Sequence, residues 1–178
     1  MPSKPYHGQF RSRSLRLQNW DYSANAAYFI TICTQNNEHF FGLVKNNQME
    51  LSAIGQIAHD CWLEIPQHFS FVSLDRFIIM PNHLHGIIFI KKDNNQRAKH
   101  KNQFGPQSQN LASVVRGFKA GVTTQARKIN THFSWHNNYY ENIIRNRSML
   151  ENLSLYTLNN PKTWPNDKFY NGGESTGE

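Results

Sequence analysis

Two cysteines, Cys33 and Cys61, are all that this 178-residue chain contains. They stand apart with no CxxC pair, so neither a disulfide framework nor a zinc ribbon is available, and a reducing cytoplasm is the natural compartment. No apolar run approaches the roughly 18 residues that cross a bilayer, and Met1 to Phe10 lacks the apolar stretch of a signal peptide. Walker A and HExxH sequences are both missing, which removes P-loop nucleotide hydrolysis and the common zinc-protease arrangement. Acidic residues are scarce: 12 Asp and Glu face 19 Lys and Arg, a formal charge of +7. Such a balance attracts polyanions, usually nucleic acid and sometimes an anionic membrane surface. Aromatic residues are plentiful, with 12 Phe and 7 Tyr, in a chain with room for one domain and tails.

Residues 1–20 are polar and basic, with Arg11, Arg13 and Arg16, and read as an arm ahead of a domain over 21–164. Tyr28 to Thr34 is β-branched and aromatic and predicts a first strand. Gly42 to Val44 and Met49 to Leu51 flank Lys45-Asn46-Asn47-Gln48 and predict a hairpin. Ser52 is placed to cap a helix to about Glu64 that Pro66 stops. Two strands follow, Val72 to Met80 and His83 to Ile90, parted by Pro81-Asn82; the second is apolar on both faces and predicts a central strand. Residues 91–110 are Asn/Gln-rich and basic, and predict a mobile insertion. Leu111 to Ile129 and Met149 to Asn160 have helical spacing. Ser148 and Glu151 have the spacing of a capping box for the second, which Pro161 closes. The Gly-, Asn- and Ser-rich residues 165–178 are expected to be a disordered tail. The order of elements predicts an α+β, ferredoxin-like sandwich, with helices on one side of an antiparallel sheet.

Candidate chemistry begins at Pro81-Asn82-His83-Leu84-His85. A strand repeats every two residues, so His83 and His85 point the same way and could hold a divalent metal side by side. The same two imidazoles can equally be satisfied by ordinary hydrogen bonds. Tyr156 and Asn160, four residues apart on the last helix, share a face. A phenol and an amide there could both reach one metal-bound phosphate, with the Asn160 oxygen completing a two-His, one-amide set.

With these blocks in view, the chain resembles the REP-associated tyrosine transposases, relatives of the smallest single-tyrosine insertion-sequence transposases with a His-hydrophobe-His motif. The resemblance rests on YFITICT (28–34), LDRFIIMPNHLHGIIFI (74–90), SVVRGFKA (113–120), NYYENIIRN (138–146) and LYTLNNP (155–161), in order, from about Arg11 to Trp164. It implies a ferredoxin-like fold and recognition of an imperfect DNA hairpin with a single-stranded tetranucleotide at its foot. It implies His83 and His85 as the metal pair, Asn160 as third ligand and Tyr156 as nucleophile; Tyr139 and Tyr140 fall in a block the family does not use for attack. Strand cleavage would leave a 5′-phosphotyrosine, with Mg²⁺ or Mn²⁺ as the suited metal. The REP-associated group also looks monomeric by resemblance.

Phosphate contacts are expected from Arg11, Arg13 and Arg16, from Arg116, Lys119 and Arg127 on the middle helix, and from Lys91, Lys92, Arg97, Lys99 and Lys101 in the insertion. The location expected is cytoplasmic and nucleoid-associated, with no membrane partner. Two other readings compete. A non-catalytic nucleic-acid-binding ferredoxin-like module explains the charge but not the His pair with YxxxNP. A metallohydrolase with a water nucleophile would not need Tyr156.

Overall fold

The computed structural model describes residues 20–22, 24–92 and 109–171. Arg11, Arg13 and Arg16 of the expected arm, and Arg97, Lys99 and Lys101 of the expected insertion, lie outside the described residues. In chain order the elements are β1 (Ala26–Cys33), β2 (Gly42–Lys45), β3 (Gln48–Leu51), α1 (Ala53–Leu63), α2 (Ile65–His68), β4 (Val72–Met80), β5 (His83–Ile90), α3 (Leu111–Ala126), β6 (Tyr140–Ile144) and α4 (Arg147–Asn159). A 3₁₀ segment, Asn160–Asn166, follows α4 without a break.

β4, β5, β1 and β6 form one sheet in that order, and every neighbouring pair is antiparallel. With α1 and α3 as the two crossovers this is a split βαβ arrangement, the ferredoxin-like α+β sandwich expected. The β2–β3 hairpin stands apart as a two-stranded ribbon. Asn46 and Asn47 turn it at φ 51° and 61°, the left-handed pair that a tight hairpin needs and that Asn tolerates.

Register sorts the residues between faces. Tyr28, Ile30 and Ile32 of β1 pair with Ile88, Gly86 and Leu84 of β5, and their shared face is buried under α1 and α3. Trp62 of α1 lies flat over this face, fully buried, against Phe77 and edge-on to Phe118 of α3. It can do so only because residue 86 has no side chain: a Cβ there would stand 2.2 Å from Trp62 Cζ2. The alternate residues, Phe29, Thr31 and Cys33, pair with Ile87, His85 and His83 and face the other way. There α4 packs, chiefly on β4. The helices are therefore not all on one side: the tyrosine-bearing helix crosses to the opposite face.

Several local expectations change. Pro66 does not end α1, which stops at Leu63; it sits in the first turn of α2, where its missing N–H is not needed. Ser148 is inside α4. The N-cap is Asn146, whose side chain accepts from Met149 N at 2.8 Å, while Glu151 receives Arg147 Nε instead. α4 ends at Asn159, just ahead of Pro161 as expected, but the chain continues there into the 3₁₀ segment with Pro161 in its first turn. Residues 165–171, expected in a disordered tail, fold back: Phe169 is buried and Asn171 Nδ2 donates to Asn37 O. Residues 172–178 lie outside the described residues.

Gly86→Ala should destabilise the protein by about 2 kcal/mol, because the methyl forces Trp62 off its seat in a packed core. Urea unfolding should show it, and combining the change with Trp62→Leu should recover part of the loss. An unchanged midpoint in the single variant would contradict the contact.

Candidate active site

His83 and His85 are fully buried at the start of β5, and their Nε2 atoms lie 3.1 Å apart. Their other nitrogens are held. Asn82, also fully buried, donates from Nδ2 to Asn37 O at 3.1 Å and to Phe169 O at 2.8 Å. Its Oδ1 is thus the atom facing His83 Nδ1 at 2.8 Å. That oxygen only accepts, so the proton is on His83 Nδ1 and a lone pair is left at Nε2. His85 Nδ1 lies 2.8 Å from Thr31 Oγ1, its cross-strand partner. A hydroxyl both donates and accepts, so Thr31 suits either tautomer of His85. Accepting from Nδ1–H, it frees the second Nε2 for a metal, the usual arrangement behind ligating histidines.

The structure adds a residue that the sequence did not place. Asp167 follows the 3₁₀ segment, and its carboxylate lies with the two imidazoles such that the three ligand atoms are within 4.8 Å of one another. Its Oδ2 accepts from Asn160 Nδ2 at 3.1 Å and from the Tyr156 hydroxyl at 3.3 Å, while Oδ1 accepts from Phe169 N at 2.8 Å. An acidic residue in a polar, Gly-rich segment carries no periodic signal. The aromatic anchors around it, Trp164 and Phe169, were the only hint that this stretch docks.

Tyr156 and Asn160 do meet at this point. The Tyr156 hydroxyl is 3.3 Å from His85 Nε2, and its ring stands edge-on to His85 and Phe29. The tyrosine remains 40% exposed, so the phenol can be approached from solvent. Asn160 is fully buried and, with its nitrogen given to Asp167, its Oδ1 has no partner among the described residues. An orphaned buried oxygen costs on the order of 1–3 kcal/mol. A cation would satisfy it, and the donor set of two imidazoles with amide and carboxylate oxygens fits a divalent metal. Trp164 and Phe169 wall the imidazoles with ring contacts to His83 at 5.8 and 4.7 Å.

Burial governs the protonation states. It holds His83 well below the ordinary imidazole range, helped by the neighbouring His85 and by Lys168 and His39. It lowers His85 to about 4, against the pull of Asp167. Both rings are therefore neutral at pH 7, as ligands must be. Tyr156 is raised to about 12 by burial and then by the Asp167 charge.

The basic residues divide. Arg116 is exposed on α3. Lys119 Nζ donates to the carbonyls of His136, Asn137 and Asn138, and burial lowers it to about 8. Arg127 Nε donates to Phe133 O. Lys119 and Arg127, expected to contact phosphate, thus hold the 133–138 loop, and α3 as a whole packs on the face away from the histidines.

The neutral histidines set a pH dependence. In the unfolded chain each titrates near 6.5, above its folded value, so the unfolded state binds more protons as pH falls. Their contribution is complete above about pH 6.5 and is lost toward pH 4 for His85, at up to roughly 1.4 kcal/mol per unit per site. Metal-free wild type should lose stability more steeply between pH 7 and 4.5 than the His83→Gln/His85→Gln double variant. Equal slopes in urea unfolding would contradict the buried neutral pair.

No family model matches the chain. An uncharacterized protein of Haemophilus influenzae is 42% identical over 178 residues, covering 96% of this chain and 99% of its own length. Among solved structures, a REP-associated tyrosine transposase bound to a REP hairpin superposes with a TM-score of 0.57 at 14% identity, over 92% of this chain and 95% of that one. A Deinococcus radiodurans structure covers 81% of this chain and 96% of its own at 10% identity, with a TM-score of 0.47. The chain belongs to one family with the Haemophilus influenzae protein, and it has the fold of the REP-associated tyrosine transposase.

Proposed function

We propose that this protein is a metal-dependent, single-tyrosine transposase of the His-hydrophobe-His class that cleaves and rejoins single-stranded DNA beside a hairpin. The observation that carries this reading is the convergence at one point of four groups from three elements. These are two neutral imidazoles, the Asn160 side chain hydrogen-bonded to the adjacent Asp167 carboxylate, and the hydroxyl of the half-exposed Tyr156. The fold shared with the hairpin-bound transposase supports it, as do the MPNHLH and YTLNNP blocks that carry the family resemblance.

In this reading His83, His85 and Asn160 hold Mg²⁺ or Mn²⁺, with the Asp167 carboxylate beside them. The cation would draw charge from the non-bridging oxygens of the scissile phosphate. The chain's own residues do the rest. A phenol raised to about 12 is a poor nucleophile at neutral pH, and Asp167 Oδ2, already accepting its hydrogen bond, is placed to take the proton. The Tyr156 oxygen then attacks phosphorus, the P–O3′ bond breaks, and the departing 3′ oxygen gains a proton. The strand is left with a free 3′-hydroxyl and a 5′-phosphotyrosine. Attack by a 3′-hydroxyl on that link reverses the step, so rejoining needs no nucleotide triphosphate. Hairpin and tetranucleotide recognition, action as a monomer, and backbone contacts from Arg116 and the Arg11, Arg13 and Arg16 arm belong to the same proposal.

Labelled single-stranded oligonucleotides carrying the gene's own flanking hairpins, incubated with Mn²⁺ and run on denaturing gels, test the nucleophile. Wild type should give a slowed covalent band, Tyr156→Phe none, and Tyr139→Phe and Tyr140→Phe a band like wild type. His83→Ala and His85→Ala should cut cleavage by about 10²-fold or more, the loss of several kcal/mol of charge stabilisation, while hairpin binding in gel shifts stays near wild type. A nucleotide mapped to Tyr139 or Tyr140 would overturn the assignment, and tight hairpin binding with no adduct at all would leave a binding module.

The metal set has a separate test. Thr31→Val keeps the shape of the side chain but removes the hydroxyl behind His85, so Mn²⁺ affinity by calorimetry should fall about 10- to 100-fold. Unchanged affinity would contradict a supporting role for Thr31 behind His85.

A further inference from the structure

One cross-strand row joins the candidate site to the open edge of the sheet. Ile78, His85, Thr31 and Tyr140 are successive partners across β4, β5, β1 and β6, so their side chains share a face. Tyr140 therefore lies two strand spacings from His85, about 9.5 Å along the row. α4 covers the β4 side of this face, whereas Tyr140 and Asn142 on the β6 side are exposed. The Tyr140 ring, 42% exposed, therefore offers an open aromatic surface on the same face as the buried imidazole pair.

Tyr140 is also braced. Phe169, which packs on His83, lies 6.1 Å from the Tyr140 ring. Lys168 Nζ is 5.2 Å from the centre of Tyr140 and 4.6 Å from that of Phe169. A solvent-exposed cation within reach of two aromatic faces is biased toward them. Lys168 directly follows Asp167, whose carboxylate lies with the imidazoles, and it contacts the ring that packs on His83, so it stands beside the site.

An aromatic surface with a cation beside it is how sequence-tolerant single-strand sites are built: the ring stacks a base and the cation meets its phosphate. We propose that Tyr140 and Lys168 form the seat for a nucleotide flanking the scissile phosphate, the phenol ring stacking its base and the ammonium contacting its backbone. This rests on the single-strand reading above. The seat accepts any base, because every base has a π face; it positions the strand along β6 toward Tyr156 and takes no part in bond breaking.

Fluorescence anisotropy with two labelled probes, measured without divalent metal so that nothing is cleaved, tests it. One probe is a 15-residue dT strand, the other a 15-residue strand of abasic spacers with the same phosphates. Tyr140→Ala should weaken dT binding about 5- to 100-fold and leave the abasic strand as in wild type, while Tyr140→Phe keeps the ring and binds both normally. Lys168→Gln should weaken both probes and lower the log–log salt slope by about 0.7. Unchanged dT affinity in Tyr140→Ala, or an equal loss on both probes, would overturn the base seat; an unchanged slope in Lys168→Gln would overturn the phosphate contact. Wild type that binds neither probe would overturn the seat and the single-strand reading together. A covalent band persisting in Tyr156→Phe would overturn the nucleophile while leaving the seat standing.

Discussion

The Asn82 side chain holds this site together. One amide ties three separate stretches of chain: it donates to the loop after β1 at Asn37 and to the docked C-terminal segment at Phe169, and it accepts from His83. Because both donors are committed, the amide cannot turn over, and His83 is fixed as the tautomer with its Nε2 lone pair toward His85. Its own main chain is anchored as well, since Thr34 donates to Asn82 O from both backbone and hydroxyl. A fully buried polar network of this kind is rigid because every lost bond leaves an unsatisfied group in a low-dielectric interior.

The sheet divides its labour by face. The side under α1 and α3 is apolar and aromatic, with Trp62, Phe118, Tyr28 and Ile30 closing the core, and it supplies the stability. The other side is where buried polarity is tolerated, and there the chain accepts neutral histidines, an orphaned amide oxygen and a phenol shifted away from reactivity. α4 is suited to that side. Thr157 is the one buried residue of its thirteen, so the helix rests on the sheet rather than sinking into it, and Tyr156 is presented at the surface with its hydroxyl turned inward. The C-terminal segment then closes the pocket from the far side with Trp164, Asp167 and Phe169.

Local signals in the sequence are clear wherever periodicity is strong. β4 and β5 are long, apolar and separated by Pro81-Asn82, and their observed ends coincide with those signals. The hairpin was marked by its two asparagines. β6 is not legible as a strand: it has five residues at the sheet edge, with Tyr140 and Asn142 outward, and lacks the apolar alternation of a half-buried strand. The α4 cap went to Asn146 rather than Ser148 because both residue types cap equally well on chemistry, and the choice depends on where the backbone turns extended, at Asn146 φ −153°. Composition is a poor guide at 165–171, where one aromatic residue, Phe169, outweighs its polar neighbours once a pocket exists to receive it.

By itself the sequence determined the α+β order of elements, the shared face of His83 and His85, and the one-turn spacing of Tyr156 and Asn160. These follow from the periods of strand and helix and need no knowledge of what lies across the molecule. Tertiary structure alone decided that α4 crosses to the histidine face, that Asp167 joins the site from 82 residues beyond His85, and that Lys119 and Arg127 donate to carbonyls of the 133–138 loop. Those outcomes depend on register and on which distant groups compete for the same donors and acceptors, and neither is encoded within a few residues of the side chains concerned.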